Sequence, residues 1–262
     1  MLFGNTDLEG AIDISAQFYG LTLALSKQIR HCSIARSQTT IRPSGKSTRM
    51  PHPLILASSS PYRRALLQQL GIPFQQDSPH IDEAPETGEA PAALALRLAA
   101  EKARALADRH PKSLIIGSDQ VASCDGQILG KPGNRERAIA QLQACNGKKV
   151  IFHTGLSLLN SANGEQLSDT ETFTVHFRHL STAQIERYVE LEQPYDCAGS
   201  FKVEGLGIAL FERLEGADIN TLVGLPLIRL TDMLNQFGVD PLGPHKPLKG
   251  VAASGAARRN DR

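Results

Sequence analysis

The stretch Leu54-Ile-Leu-Ala-Ser-Ser-Ser-Pro-Tyr-Arg-Arg64 constrains the fold more than any other part of the chain. Four apolar residues suited to a buried strand run into three serines, then into a proline, an aromatic and two arginines that open a helical pattern. Pro61 fits the first helical position, where its missing N–H costs nothing, and Ser60 before it fits the N-cap. Free backbone N–H groups at such a turn, with hydroxyls beside them and Arg63 and Arg64 one turn on, suit an anion, phosphate above all. The same arrangement is structural in most proteins, so the turn alone assigns no function.

Downstream, helical and strand patterns alternate. Leu66, Leu67 and Leu70 carry helical spacing before a stop at Gly71. After an acidic, proline-bearing loop over 77–89, which holds Asp82-Glu83, residues 91–110 read as an amphipathic helix with Leu94, Leu98 and Leu106 on one row. Lys102 interrupts that row, and its commonest role there is a stem on the apolar face with the amine in water. Leu114-Ile-Ile-Gly117 predicts a short strand ending at Ser118-Asp119-Gln120, and Asp125-Gly126 a hairpin turn between residues 121–123 and 127–129. Asn134 caps a helix to about Cys145; residues 150–159 and 166–178 predict longer strands; Ser181-x-x-Gln184 is a capping box opening a helix to about Leu191. A loop of small and polar residues from Asp196 to Gly205 precedes a strand over 208–211, and Pro226 opens a last helix.

These elements give a mixed α/β domain over residues 50–241. Residues 1–49 are rich in Ser, Thr and Arg and lack core material, so they read as a disordered extension, with Met50 as a candidate initiator; residues 242–262 read as a flexible tail. With 262 residues, 41% hydrophobic, the chain can bury a real core, and a net charge of +1 supplies no basic field for duplex nucleic acid. The apolar run around Ile14–Leu25 is interrupted and too short to span a bilayer. Cys32, Cys124, Cys145 and Cys197 are scattered without a C-x-x-C pair, which indicates neither a disulfide framework nor a zinc site and fits a reducing cytosol. Cys145 and Cys197 read as packing residues, and His176 and His179 as surface and edge residues facing opposite sides of a strand.

Ser58 and Asp119 both follow apolar strands, and the C-terminal edge of an open α/β sheet is where ligands bind. A carboxylate there can position or deprotonate water or hold a divalent metal, although a lone Asp in such a place is as often a turn or cap residue. With Glu83, Lys102, Lys131, Arg63 and Arg64 the set offers acids for a metal and cations for a polyphosphate, a combination suited to phosphoryl chemistry.

Taken in order, Leu54–Arg64, Asp82-Glu83, Glu101-Lys102-Ala103, Ile116-Gly-Ser-Asp-Gln120, Gly130-Lys-Pro132 and Asn220-Thr-Leu-Val-Gly-Leu-Pro226 resemble the Maf family of nucleotide pyrophosphatases. Tyr62, Gln120 and Ser200-Phe-Lys-Val-Glu204 are similar to the branch acting on 7-methyl-GTP; the dTTP and UTP branch has Arg, Thr and Gln at the three corresponding positions. The resemblance implies a mixed twisted sheet with flanking helices in an elongated, two-lobed, ITPase-like fold around a central cleft. It implies a hydrolase of acid anhydrides that cleaves a nucleoside triphosphate between the α and β phosphates with a divalent cation, Mg or Mn. By residue match Asp119 is the proton acceptor, Lys102, Lys131 and Arg63 are catalytic, and Ser58 binds substrate. Tyr62, Gln120 and Glu204 set base specificity, and Glu83 holds the metal. The resemblance also implies a homodimer, while the scattered cysteines, the charge of +1 and the short apolar run point to a cytoplasmic protein without nucleic-acid or membrane partners. Alternatives are a pyrophosphatase of dTTP, UTP or other modified nucleotides, and a nucleotide-binding regulator of cell division and septum formation.

Overall fold

The computed structural model describes residues 52–243. The expectations for residues 1–49, for Met50 as initiator and for the tail beyond residue 243 lie outside the described residues.

Among the described residues, seven strands form one sheet in the order β2-β1-β3-β5-β6-β7, with β4 paired to β3. These are β1 (Leu54–Ala57), β2 (Gln75–Asp77), β3 (Leu114–Cys124), β4 (Gln127–Leu129), β5 (Lys149–Asn160), β6 (Glu165–Phe177) and β7 (Phe211–Glu215). The strand β1 runs parallel to both neighbours, and every other pair is antiparallel, so the sheet is mixed. The helices are α1 (Pro61–Gln68), α2 (Pro91–Arg104), α3 (Arg135–Cys145), α4 (Thr182–Glu192), α5 (Ile219–Val223) and α6 (Leu227–Gln236). This is the mixed α/β architecture that the sequence predicts.

All four residues of β1 are buried because both faces of the sheet are covered there. Leu54 and Leu56 pack with α1 and α6, while Ile55 and Ala57 pack with Ala103 and Leu106. The caps are as local chemistry dictates: Ser60, Asn134 and Ser181 accept from the backbone N–H groups of Arg63, Arg137 and Gln184, and the capping box of α4 is complete. The β3–β4 hairpin turns on Asp125 and Gly126, both at positive φ.

Several expectations are corrected. The strand after Ser113 does not end at Ser118-Asp119-Gln120; it is a single strand of 11 residues, because β5 pairs with it along its whole length from Leu114↔Asn160 to Cys124↔Val150. Asp119 is therefore mid-strand, opposite Gly155. It still stands at an edge of a kind, since β1 is only 4 residues long and pairs β3 no further than Gly117. The run over 208–211 is not a strand: residues 206–210 form a 3-10 turn, and β7 begins at Phe211. The long helix stops at Arg104 rather than His110. His176 is not a surface residue. It is buried, with Nε2 3.0 Å from Glu215 Oε2 and 3.0 Å from Arg213 Nη2, and its hydrogen bond holds the Glu215 carboxyl below its ordinary range. His179 is exposed.

Packing of α2 on the sheet rests on glycine. A Cβ at Gly117 would stand 2.0 Å from the Ala99 carbonyl oxygen, and one at Gly155 would stand 2.0 Å from that of Ala95. Both obstacles are helix backbone, so side-chain rotation cannot relieve them. These glycines let α2 lie on β3 and β5 closely enough to aim Lys102 at Asp119.

Candidate active site

The expected site residues meet in one cavity of about 610 Å³, except Arg64, which is exposed on α1 and does not line it. Its floor comes from β3, which supplies Asp119 and Gln120; the serine turn after β1 supplies Ser58, and the start of α1 supplies Tyr62 and Arg63. Lys102 enters from α2, Glu83 from the loop before it, Lys131 from the segment after β4, and Glu204 from the loop before the 3-10 turn. A volume of this order suits a ligand of nucleotide size.

Lys102 is the hinge of the site. It is 6% exposed, and its Nζ lies 2.6 Å from Asp119 Oδ1 and 2.7 Å from Glu83 Oε1. The reading of Lys102 as a stem with its amine in water is thus corrected: the amine turns inward because two carboxylates converge on it. Burial pushes Glu83 up, but the hydrogen bond and charge of Lys102, with Lys131 and Arg63 behind them, outweigh it and hold that carboxyl below its ordinary range. Lys102 occupies Oδ1 of Asp119, and among the described residues no hydrogen bond engages Oδ2.

Arg63 is held firmly through Nε and more loosely through Nη1. Its Nε donates to the Gly224 carbonyl at 2.8 Å, and its Nη1 lies 3.5 Å from Ser58 Oγ. Burial pulls the guanidinium below its usual range, against the opposing charges of Asp119 and Glu83, and it stays charged. Ser58 Oγ also accepts from the Ser60 N–H at 3.1 Å. Lys131 makes no hydrogen bond or ion pair among the described residues, so its ammonium is available to a ligand.

The other end of the cavity differs in character. Tyr62 is 36% exposed. Burial pushes its phenol up, Cys197, Asp196 and Glu204 add to that, and Lys202 opposes them. Phe201 fixes the loop that carries Glu204: its ring packs edge-on against Phe152, Phe177 and Phe211 at 4.7–5.9 Å. Gln120 donates through Nε2 to the Thr221 carbonyl at 2.8 Å, the Leu222 carbonyl at 3.1 Å and Thr154 Oγ1 at 3.1 Å. With its nitrogen committed to protein, its amide oxygen is what it offers to the cavity.

Supporting residues were not legible as such. Gln76 on β2 latches the serine turn, donating to the Ser58 carbonyl at 2.7 Å, and Ser118 donates to the carbonyls of Gly155 and Gly224 at 2.9 and 3.0 Å. Nothing in the local sequence marks either contact. Cys145 and Cys197 are both pushed up to about 12, chiefly by burial, so they remain thiols, in keeping with a packing role.

Among the described residues no three His, Cys, Asp or Glu side chains come together as a metal group. Two carboxylates sharing one ammonium nevertheless fit a magnesium-type ion, which takes one or two protein carboxylates and completes its shell with phosphate oxygens and water. Among the described residues no helix is long and apolar enough to cross a membrane.

A carboxylate beside buried and free cations, in a cavity of a mixed α/β fold, suits hydrolysis of a nucleotide anhydride, and the family match makes the chain a nucleotide pyrophosphatase, a hydrolase. Residues 53–237 match the family described as Maf-like protein, and the chain belongs to it. Among solved structures it is similar to a nucleoside-triphosphatase, a dITP/XTP pyrophosphatase, from Mycobacterium abscessus, at 20% identity over 49% of this chain and 75% of that one, with a TM-score of 0.33. So distant a likeness carries nothing about the reaction.

Proposed function

We propose that the cavity hydrolyses 7-methyl-GTP to 7-methyl-GMP and pyrophosphate. The observation that carries this reading is the division of the cavity into a cationic end, with Arg63, Lys102 and Lys131, and an end lined by Tyr62, Asp196 and Glu204. A triphosphate suits the first. Methylation at N7 makes guanine cationic, so the second suits that base: Tyr62 stacks on it, and Glu204 and the Gln120 oxygen accept from the N–H groups of its edge. A neutral pyrimidine can stack on Tyr62 but gains neither the cation–π nor the charge attraction.

In this reading Asp119 Oδ2 accepts a proton from the water that attacks the α phosphate, while Lys102 holds the carboxylate in place through Oδ1. Arg63, with Lys131 and the serine turn, neutralises charge as it grows on the phosphate oxygens and on the departing pyrophosphate. A magnesium or manganese ion would be held by Glu83, with the phosphate oxygens completing its shell, and would supply Lewis-acid polarisation of the phosphates.

The test is pyrophosphate release from a panel of purified triphosphates with magnesium or manganese present. The reading expects 7-methyl-GTP to exceed UTP, dTTP and GTP in kcat/KM. Preference for a pyrimidine would replace it with the second enzymatic reading, and no turnover of any triphosphate would leave the regulator. Glu204→Gln is expected to lower kcat/KM for 7-methyl-GTP by about tenfold or more and to leave UTP nearly unchanged, since one charge-assisted contact contributes about 1.5–3 kcal/mol. Equal losses on both substrates would remove Glu204 from base recognition.

A further inference from the structure

Glu83 sits in no strand or helix; the backbone from residue 78 to 90 is a loop bearing Asp82, Glu83, Glu86 and Glu89. Four acids repel one another, and Gly88 at positive φ gives the chain further freedom. Left alone, such a loop would hold Glu83 against Lys102 only loosely.

One side chain of α2 ties it down. Arg97 Nε and Nη2 donate to the two carboxylate oxygens of Glu89, each at 2.8 Å, in a bidentate fork. The same Nη2 donates at 3.1 Å to the carbonyl of Ala84, the residue after Glu83, and Nη1 reaches Glu101 at 3.3 Å. Arg97 thus grips the loop on the C-terminal side of Glu83 at two separate points. The fork is shielded, with the side chains of Arg97 and Glu89 22% and 9% exposed. Glu89 Oε2 also accepts from the Glu86 N–H at 3.0 Å, and Asp82 Oδ1 from the Ala84 N–H at 3.0 Å, so both turns of the loop are closed.

We propose that Arg97 is a positioning residue for Glu83: its planar fork sets the loop so that the Glu83 carboxylate meets Lys102 beside Asp119. Lysine at this position would keep the charge but lose the fork. The catalytic part of the inference rests on the function proposed above; the loop-holding part does not.

The experiment has two readouts. Hydrogen exchange on the free protein is expected to show the amides of Glu86 and Glu89 exchanging at least about tenfold faster in Arg97→Gln, with β3 and β5 unchanged. The second is a kinetic cycle on the triphosphate the enzyme cleaves best: Arg97→Gln is expected to lower kcat by about tenfold in the wild-type background and by less than about twofold in the Glu83→Gln background, because the loss passes through Glu83. Arg97→Lys is expected to fall between, and serves as the test variant if the Gln form does not fold. Unchanged exchange at Glu86 and Glu89, or an equal kcat loss in both backgrounds, overturns the proposal. Faster exchange in a protein that cleaves no triphosphate upholds the loop-holding role of Arg97 and refutes the function, so the two failures are separable.

Discussion

Asp119→Asn is expected to lower kcat by about 10³-fold while the protein stays folded, because removing a positioned general base costs roughly 10²–10⁴-fold. Asn keeps an oxygen for Lys102 Nζ, now 2.6 Å from Oδ1, and Lys102 keeps Glu83 at 2.7 Å, so no buried ammonium is stranded. The amide cannot accept the proton of the attacking water. It also removes a negative charge from the phosphate end, so nucleotide affinity is expected to hold or to rise slightly. Rate measurements beside nucleotide titration calorimetry check both parts. Residual turnover above about a tenth of wild type would mean that another group takes the proton.

The second large effect is structural. Gly117→Ala is expected to destabilise the fold by about 3 kcal/mol, at the upper end of the usual 1–3 kcal/mol for overpacking. The added Cβ would meet the Ala99 carbonyl at 2.0 Å and the Ala103 N at 2.8 Å, both backbone atoms of α2. The strand cannot retreat, since it is bonded to β1 on one side and β5 on the other. The helix must lift instead, and it carries Lys102. At about 2–4 °C per kcal/mol for a domain of this size, Tm is expected to fall by roughly 6–12 °C, with activity reduced well below that temperature as Lys102 draws away from Asp119. Gly155→Ala, against Ala95, is expected to behave alike. A Gly117→Ala protein with wild-type Tm and kcat would contradict the close-packing account.

What the sequence made legible is what short-range chemistry decides. Pro61 and Ser60 at the start of α1, Asn134 and Ser181 as caps, and Asp125-Gly126 as a hairpin turn each depend on a few neighbours, and each stands where local rules put it. Asp119 shows where such reading stops. Its polar neighbours look like the end of a strand, yet pairing with β5, more than thirty residues away, carries the strand through them to Cys124. The run over 208–211 misled for a related reason: an apolar stretch has no partner written into it, and here it coils before β7 begins. Lys102 interrupts an apolar helix row in a way that fits surface snorkelling and inward ion pairing equally; only the approach of α2 to β3, permitted by Gly117, chooses between them. Gln76 and Ser118 were silent because their partners lie on other elements, and Arg97 because its fork reaches Glu89 and Ala84 in the loop before α2.

The measurement that bears most directly on the proposed reaction is product analysis after hydrolysis of 7-methyl-GTP by the wild-type protein in ¹⁸O-labelled water. Attack on the α phosphate, with Asp119 taking the proton and pyrophosphate leaving from the cationic end, requires a single ¹⁸O in 7-methyl-GMP and none in the pyrophosphate. Label in pyrophosphate, release of labelled orthophosphate with a diphosphate product, or intact 7-methyl-GTP under conditions where UTP is consumed would contradict it.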